Sequence, residues 1–150
     1  MSAEIKYFED FQVGEKFYIP AKTLTDAHFL FFAGMTGDNH PIHYDDEYAK
    51  ISRFGKRVAH GLLVTAMTAV GASTLSPRLE GSIVAFVEQS ARFLQPVFIG
   101  DTITPELEVS ELVPKTDTGL LRLTTRVKNQ RGEIVLEGMH AYLVKKRPRT

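Results

Sequence analysis

Residues 102–113 and 120–127 in the second half of the chain alternate between apolar and polar residues, which is the pattern of a strand with one buried face. Residues 82–93 and 134–145 are rich in strand-forming residues, and the turn sequence NQRGE precedes the second of these segments. Consecutive strands joined by short turns predict an antiparallel sheet. Pro105 cannot donate to a strand ladder, so we expect it at an edge or a bulge. The apolar positions are Ile103, Pro105, Leu107 and Val109 in residues 102–113, and Leu121, Leu123, Thr125 and Val127 in residues 120–127.

The first half of the chain carries helix signals after one short predicted strand in KFYIPAKTL. Thr25 as N-cap and Asp26 in the first turn predict a helix through AHFLFFAGM. Gly34 or Gly37 can end this helix, because either residue tolerates a positive φ. A polar loop follows, and DDEYAK predicts one further short helix.

Residues 60–75, HGLLVTAMTAVGASTL, are apolar on every side, which indicates a helix buried all round. Pro77 prevents this helix from continuing. A curved antiparallel sheet wrapped around a single long helix would cover both the helix and the apolar face of the sheet. We therefore predict an α+β fold. It forms one domain over residues 1–150, because no repeat, low-complexity segment or linker interrupts the chain.

Composition and charge narrow the class of protein. The formal net charge is zero, which gives no general attraction to nucleic acid or anionic lipid, and we expect the basic end KKRPRT to be solvated. The absence of cysteine excludes disulfides, thiolate metal sites and a cysteine nucleophile. The N-terminus lacks the pattern of a secretory signal, and no apolar run reaches the roughly 18 residues that span a bilayer. We expect a soluble, cytoplasmic protein without nucleic-acid or membrane partners.

Candidate chemistry is concentrated in GMTGDNHPIH, where Asp38 and His43 are five residues apart. Pro41 stiffens the segment and pushes His40 toward an extended conformation. Histidine exchanges protons near neutral pH, and a carboxylate beside it could orient the imidazole or take a proton itself. An acid/base pair is one interpretation, and a capping aspartate beside a surface histidine in a turn is the other.

A metal site is a further interpretation, because His40, His43 and His60 could join Asp38 in supplying nitrogen and oxygen ligands. However, the two histidines of H-x-x-H lie in a proline-containing loop, which does not place both rings on one helical face. The sequence also lacks the usual helical pair of ligands four residues apart. We therefore predict that no metal is bound.

His60 and Gly61 begin the predicted buried helix, where unpaired N–H groups could stabilise a developing oxyanion. Close packing at a helix start would equally explain the glycine. Basic residues between the loop and this helix could contact the phosphates of a large substrate, although a solvated charged face is the alternative. These residues are Lys50, Arg53, Lys56 and Arg57.

Three segments together resemble the MaoC-like dehydratases and (R)-specific enoyl-CoA hydratases, which have the hot-dog fold. They are FAGMTGDNHPIHYDDEYA, RVAHGLL and ARFLQPVFIGDTI, and the resemblance covers the chain from about Phe8 to Lys145. In the family pattern D-x-N-P-L-H, Asp38, Pro41 and His43 match with the spacing intact. His40 replaces the usual asparagine and Ile42 the leucine, and the histidine changes the donors and acceptors beside the catalytic pair.

The resemblance implies reversible addition of water across the 2,3-double bond of an enoyl-CoA, giving the (3R)-hydroxyacyl-CoA. Asp38 and His43 would hold the water, the Gly61 N–H would bind the thioester oxygen, and His40 and His60 would support them. The resemblance implies no metal or redox cofactor, with coenzyme A arriving as part of the substrate. It also implies a homodimer or higher homo-oligomer. A thioesterase on the same fold and a non-catalytic acyl-CoA-binding subunit are the alternatives.

Overall fold

The computed structural model describes residues 3–149, which form a six-stranded antiparallel sheet. The strand order is β1-β4-β5-β6-β3, and the short β2 pairs with β4 beyond the end of β1. The predicted antiparallel sheet is confirmed, although the single strand predicted in KFYIPAKTL is divided into two around Pro20. The strands are β1 (Lys16–Tyr18), β2 (Lys22–Thr23), β3 (Ile83–Phe93), β4 (Thr102–Pro114), β5 (Thr118–Lys128) and β6 (Ile134–Lys145).

The period-two pattern places one face of β4 and β5 in the core, as predicted. Leu107 pairs with Thr125, and Val109 pairs with Leu123, so the buried faces of the two strands coincide. Each alternating position turns its side chain to the same side of the sheet, which removes a continuous apolar surface from water. The buried residues of the two strands include Ile103, Pro105, Leu107, Val109, Leu121, Leu123, Thr125 and Val127.

Pro105 lies at a local gap in the sheet. It pairs with Val127 of β5 on one side, whereas on the other side β1 has ended and β2 has not yet begun. Its carbonyl accepts a hydrogen bond from the Ile19 N–H across this gap at 3.3 Å. The N atom of Pro105, which carries no hydrogen, points toward the same gap, because the N and C=O of a strand residue point to the same side. The predicted edge position is confirmed locally, and the β4 irregularity lies between Val109 and Glu111.

The two helices predicted before residue 60 begin and end close to the predicted residues. Thr25 precedes the first of them, and Gly37 ends it in the left-handed conformation with φ 77°. Asp45 caps the second by accepting a hydrogen bond from the Tyr48 N–H at 3.0 Å. The helices are α1 (Asp26–Thr36), α2 (Asp46–Ile51) and α3 (Gly61–Ala66).

The long buried helix predicted over residues 60–75 is wrong in length and in burial. Only Gly61–Ala66 are α-helical, and a turn and a 3-10 segment at Val70–Ala72 follow. Leu62 is 68% exposed, so the helix has a face in solvent.

The reason for the early end of α3 lies at Thr68. Its N–H bonds the Thr65 carbonyl three residues back at 3.0 Å, and its hydroxyl donates to the same carbonyl at 2.6 Å. A threonine hydroxyl that competes for helix carbonyls weakens the regular ladder. The hydroxyl also accepts a hydrogen bond from the buried His140 Nε2 of β6 at 3.1 Å. This contact between distant parts of the chain has no signal in the local apolar pattern.

Two apolar clusters fill the space beneath the sheet. One packs β4–β6 against Phe11, Phe17 and Leu75. The other packs α1 and α3 against the far ends of β4–β6, and it supports the loop between α1 and α2. Within residues 3–149, the helices are too short or too polar for any to cross a bilayer.

Candidate active site

His43 is held in a defined tautomer by the fold. It ends a short 3-10 turn at Pro41–His43, and its ring is 9% exposed. The Nδ1 atom lies 2.7 Å from the Val58 carbonyl oxygen, which can only accept a hydrogen bond. Nδ1 therefore carries the proton, and in the neutral ring Nε2 keeps a free lone pair.

Asp38 follows directly after the left-handed Gly37 and is exposed. Its N–H donates to the Thr36 hydroxyl at 3.2 Å, and its carboxylate accepts from the His40 N–H at 3.3 Å. These local bonds orient the carboxylate along the loop, as is common where aspartate begins a turn. A negatively charged group is thus fixed at the mouth of a buried pocket of rings.

Asp38, His43 and His60 come together although His60 is 17 residues beyond His43. One carboxylate oxygen and one nitrogen of each ring lie within 4.8 Å of one another. The two imidazoles are stacked, with centroids 3.7 Å apart and planes at 24°. The lone pairs of stacked rings run nearly parallel and do not converge on a point, which is poor geometry for a shared ion. The absence of a metal stays a prediction.

His60 has a defined tautomer of its own. Its Nε2 lies 3.2 Å from the Asp38 main-chain carbonyl and 2.9 Å from the Tyr44 hydroxyl. Because the carbonyl can only accept, Nε2 carries the proton. Burial lowers the pKa of His60, and the neighbouring His43 lowers it further, so the ring is neutral at pH 7.

Tyr44 is a residue that sequence reasoning missed. Its hydroxyl donates to the Phe29 carbonyl at 2.9 Å and accepts from His60, so it ties α1 to the loop. Burial raises the pKa of this phenol, and the charge of Asp38 adds to the effect. Its position directly after His43 was the only available signal.

Gly61 is the first residue of α3 and lies in contact with the Phe93 ring. A Cβ atom added at this position would lie 3.1 Å from two ring carbons of Phe93. Among the described residues, no backbone hydrogen bond uses the Gly61 N–H, which leaves it free for a ligand. The six-residue helix carries a smaller dipole than the predicted long helix would.

His40 lies beside the cluster, with its ring edge-to-face to that of His43 at 6.3 Å between centroids. It is exposed, and its Nδ1 accepts a hydrogen bond from the Ile42 N–H at 3.2 Å, which caps the 3-10 turn. Its ring is 5.7 Å from that of Tyr48, centroid to centroid. The residue that replaces the family asparagine therefore shapes the loop from outside.

The four basic residues have different environments. Lys50 pairs with Glu47 on α2. The Arg53 guanidinium lies over the Phe54 ring, and the Lys56 ammonium lies over Phe98, both at the surface.

Arg57 is engaged with other parts of the chain. It bonds Asp26 at 2.5 Å and Asp46 at 2.8 Å, which ties the start of α1 to the start of α2. This pairing uses two of the five guanidinium N–H donors and places both carboxylates against the Arg57 charge. A groove beside Gly61 is lined by Arg53, Phe54, Phe93 and Leu94.

Comparison with known proteins agrees with this geometry. A family model described as MaoC like domain matches residues 10–131. An (R)-specific enoyl-CoA hydratase from Rhodospirillum rubrum is 35% identical over 147 residues, which cover 96% of this chain and 97% of that protein. An R-hydratase structure from Pseudomonas aeruginosa has a TM-score of 0.78 at 33% identity and covers 94% of this chain and 86% of its own.

A structure from Archaeoglobus fulgidus named as a monoamine oxidase regulatory protein has a TM-score of 0.91 at 38% identity and covers 99% of both chains. The sheet and its packed helices have the hot-dog fold, as predicted. The family match covers most of the chain and includes the loop that carries Asp38 and His43. This protein belongs to the MaoC-like family of hot-dog dehydratases.

Proposed function

We propose that the protein is an (R)-specific enoyl-CoA hydratase, a hydro-lyase that also catalyses the reverse dehydration of 3-hydroxyacyl-CoA. The observation that carries the proposal is the approach of an Asp38 carboxylate oxygen to a ring nitrogen of His43 within 4.8 Å, while the His43 Nδ1 is bound to the Val58 carbonyl. The name of the Rhodospirillum rubrum relative supports the same reaction.

Asp38 and His43 are spaced to hold one water. Two hydrogen bonds of about 2.8 Å from a single water span about 4.6 Å between their partners. One Asp38 carboxylate oxygen and one His43 ring nitrogen lie no more than 4.8 Å apart, which is compatible with a bridging water. The carboxylate accepts one hydrogen of the water, and the lone pair on Nε2 accepts the other.

The reaction then needs one proton to travel. Nε2 of His43 takes a proton from the water as its oxygen bonds to C3 of the enoyl group. The electron pair of the double bond moves through C2 to the thioester oxygen. The imidazolium returns its proton to C2, so the net change is the addition of H and OH, and His43 regains its starting state.

Negative charge on the thioester oxygen meets the free N–H of Gly61. A preorganised donor at this place stabilises charge as it develops. Because α3 has only six residues, the individual N–H bond contributes more than the helix dipole. Arg53 and Lys56 are proposed to contact the coenzyme A phosphates at the rim of the groove, whereas the two carboxylates that bind Arg57 leave it out of this role.

The same proposal includes a cytoplasmic homodimer that acts on acyl-CoA thioesters in fatty acid metabolism. Strand β3 ends the sheet, so one row of its N–H and C=O groups lacks a strand partner among the described residues. Val84, Phe86 and Val87 on this strand are about half exposed. Pairing of two β3 strands would bury these side chains, and light scattering should then give about twice the 16.8 kDa of one chain.

The decisive experiment mixes the purified protein with crotonyl-CoA and follows the loss of the enoyl absorbance, with free thiol measured in parallel. Loss of absorbance without thiol release is expected. Asp38→Asn and His43→Ala should each lower the hydration rate by at least about 100-fold while the fold is retained. Thiol release would move the assignment to a thioesterase, and full activity in either folded variant would overturn the assigned roles.

A further inference from the structure

We propose that His60 is a positioning residue that holds the side chains of Asp38 and His43, the proposed catalytic pair, at fixed positions relative to the Gly61 N–H. The inference rests on the proposed function and adds a residue to it. Its basis is a set of contacts that His60 makes with the Asp38 main chain, the His43 ring and the Tyr44 hydroxyl.

Each contact restrains a different part of the site. The Nε2–H of His60 binds the main-chain carbonyl of Asp38, which fixes the loop from which the carboxylate extends. The face of the ring stacks on His43 and limits its rotation. His60 is also the N-cap residue directly before Gly61, so a restraint on its side chain also restrains the backbone next to the oxyanion donor. Displacement of a catalytic group by about 1 Å can lower a rate by about 100-fold.

The Nδ1 atom of His60 supports a role for the ring beyond packing. It is buried and has no hydrogen-bond partner among residues 3–149, while the residue as a whole is 2% exposed. A buried acceptor without a partner destabilises the folded state. The ring is also surrounded by Phe29 and Phe32, with centroids at 5.8 Å and 4.6 Å. A phenylalanine would fill this place without an unpaired atom.

The roles of positioning and packing therefore predict different outcomes for His60→Phe. If the ring only fills space, the variant should keep its melting temperature or gain stability, and it should hydrate at the normal rate. If the Nε2–H positions Asp38, the variant should fold as well but lose activity. We expect kcat to fall between about 10-fold and 100-fold, with KM for crotonyl-CoA changed by less than about threefold.

Two further variants complete the experiment. His60→Gln places an amide donor near the position of Nε2. Its kcat should therefore be at least about threefold higher than that of His60→Phe. His140→Phe removes another buried, neutral histidine outside the site. It should lower the melting temperature and leave kcat within about twofold of the wild type.

The results separate the inference from the function on which it rests. A folded His60→Phe protein with wild-type kcat, beside an active wild type, overturns the positioning role alone. A wild type that hydrates none of a panel of short, long and branched enoyl-CoAs overturns the proposed function and this role together. Should His60→Phe fail to fold, His60→Leu replaces the ring by a smaller apolar side chain that also lacks the donor to Asp38, and a wild-type kcat in that folded variant would overturn the role.

Discussion

His140 makes the free energy of unfolding depend on pH. Because its ring is buried, this free energy should fall as the pH is lowered. The ring lies in the core on β6, 3% exposed, with Nε2 donating to Thr68 and Nδ1 accepting from the Tyr142 hydroxyl at 3.0 Å. Burial lowers the pKa of His140 from 6.5 to about 4 and raises the pKa of Tyr142 to about 12. Both ring nitrogens are satisfied only while the ring is neutral.

The magnitude follows from the difference between the folded and unfolded pKa values. The unfolded chain binds a proton on this histidine below pH 6.5, whereas the folded protein binds it only near pH 4. The stabilisation is complete above pH 6.5 and is lost as the pH falls from 6.5 toward 4. Between pH 7.5 and 4.5, this one group should lower the free energy of unfolding by about 2.5 kcal/mol.

Urea unfolding of the wild type and of His140→Gln at both pH values measures this contribution. Glutamine does not titrate, and its amide can still donate to Thr68. The difference in unfolding free energy between the two proteins should therefore shrink by about 2.5 kcal/mol on acidification, with other titrating groups cancelling in the comparison. A gap that stays constant across the pH range would refute the reasoning that His140 is buried and neutral.

The remaining predictions concern backbone contacts and charge. Gly61→Ala should lower the hydration rate by at least about 10-fold, because the added Cβ lies beside the proposed oxyanion donor. Its effect on stability should stay below about 1 kcal/mol, because the Phe93 ring that the Cβ meets is 54% exposed and can move. An unchanged hydration rate would show that Gly61 is not part of the site. Gly138→Ala should lower the free energy of unfolding by about 3 kcal/mol in a denaturation experiment, since its Cβ would lie 2.1 Å from the Ser90 carbonyl of β3; wild-type stability would contradict this. Arg57→Ala should lower the free energy of unfolding by about 1 kcal/mol or less, because Asp26 and Asp46 are 64% and 69% exposed. KM should stay constant, and a large rise in KM would indicate that Arg57 contacts the substrate.

The sequence by itself determined the sheet and the loop that carries the predicted catalytic pair. Alternation in β4 and β5 is a local pattern, and burial of one face follows wherever such strands pair. The Thr25 start and the Gly37 end of α1 are also local, since caps depend on neighbouring residues. Asp38 and His43 are five residues apart across a proline, and the match of that spacing to the family pattern made them the predicted catalytic pair.

Only the tertiary structure decided the length of α3 and the partners of the candidate site residues. The apolar run over residues 60–75 continues past Thr68, but the bond from His140, 72 residues away, meets the chain there. The stacking of His60 on His43 likewise depends on how α3 packs against the loop. The sequence makes Arg57 a candidate substrate contact, and the fold places two carboxylates against its guanidinium. Residue types and spacing show which groups are available, whereas the free energy of burial selects which of them meet.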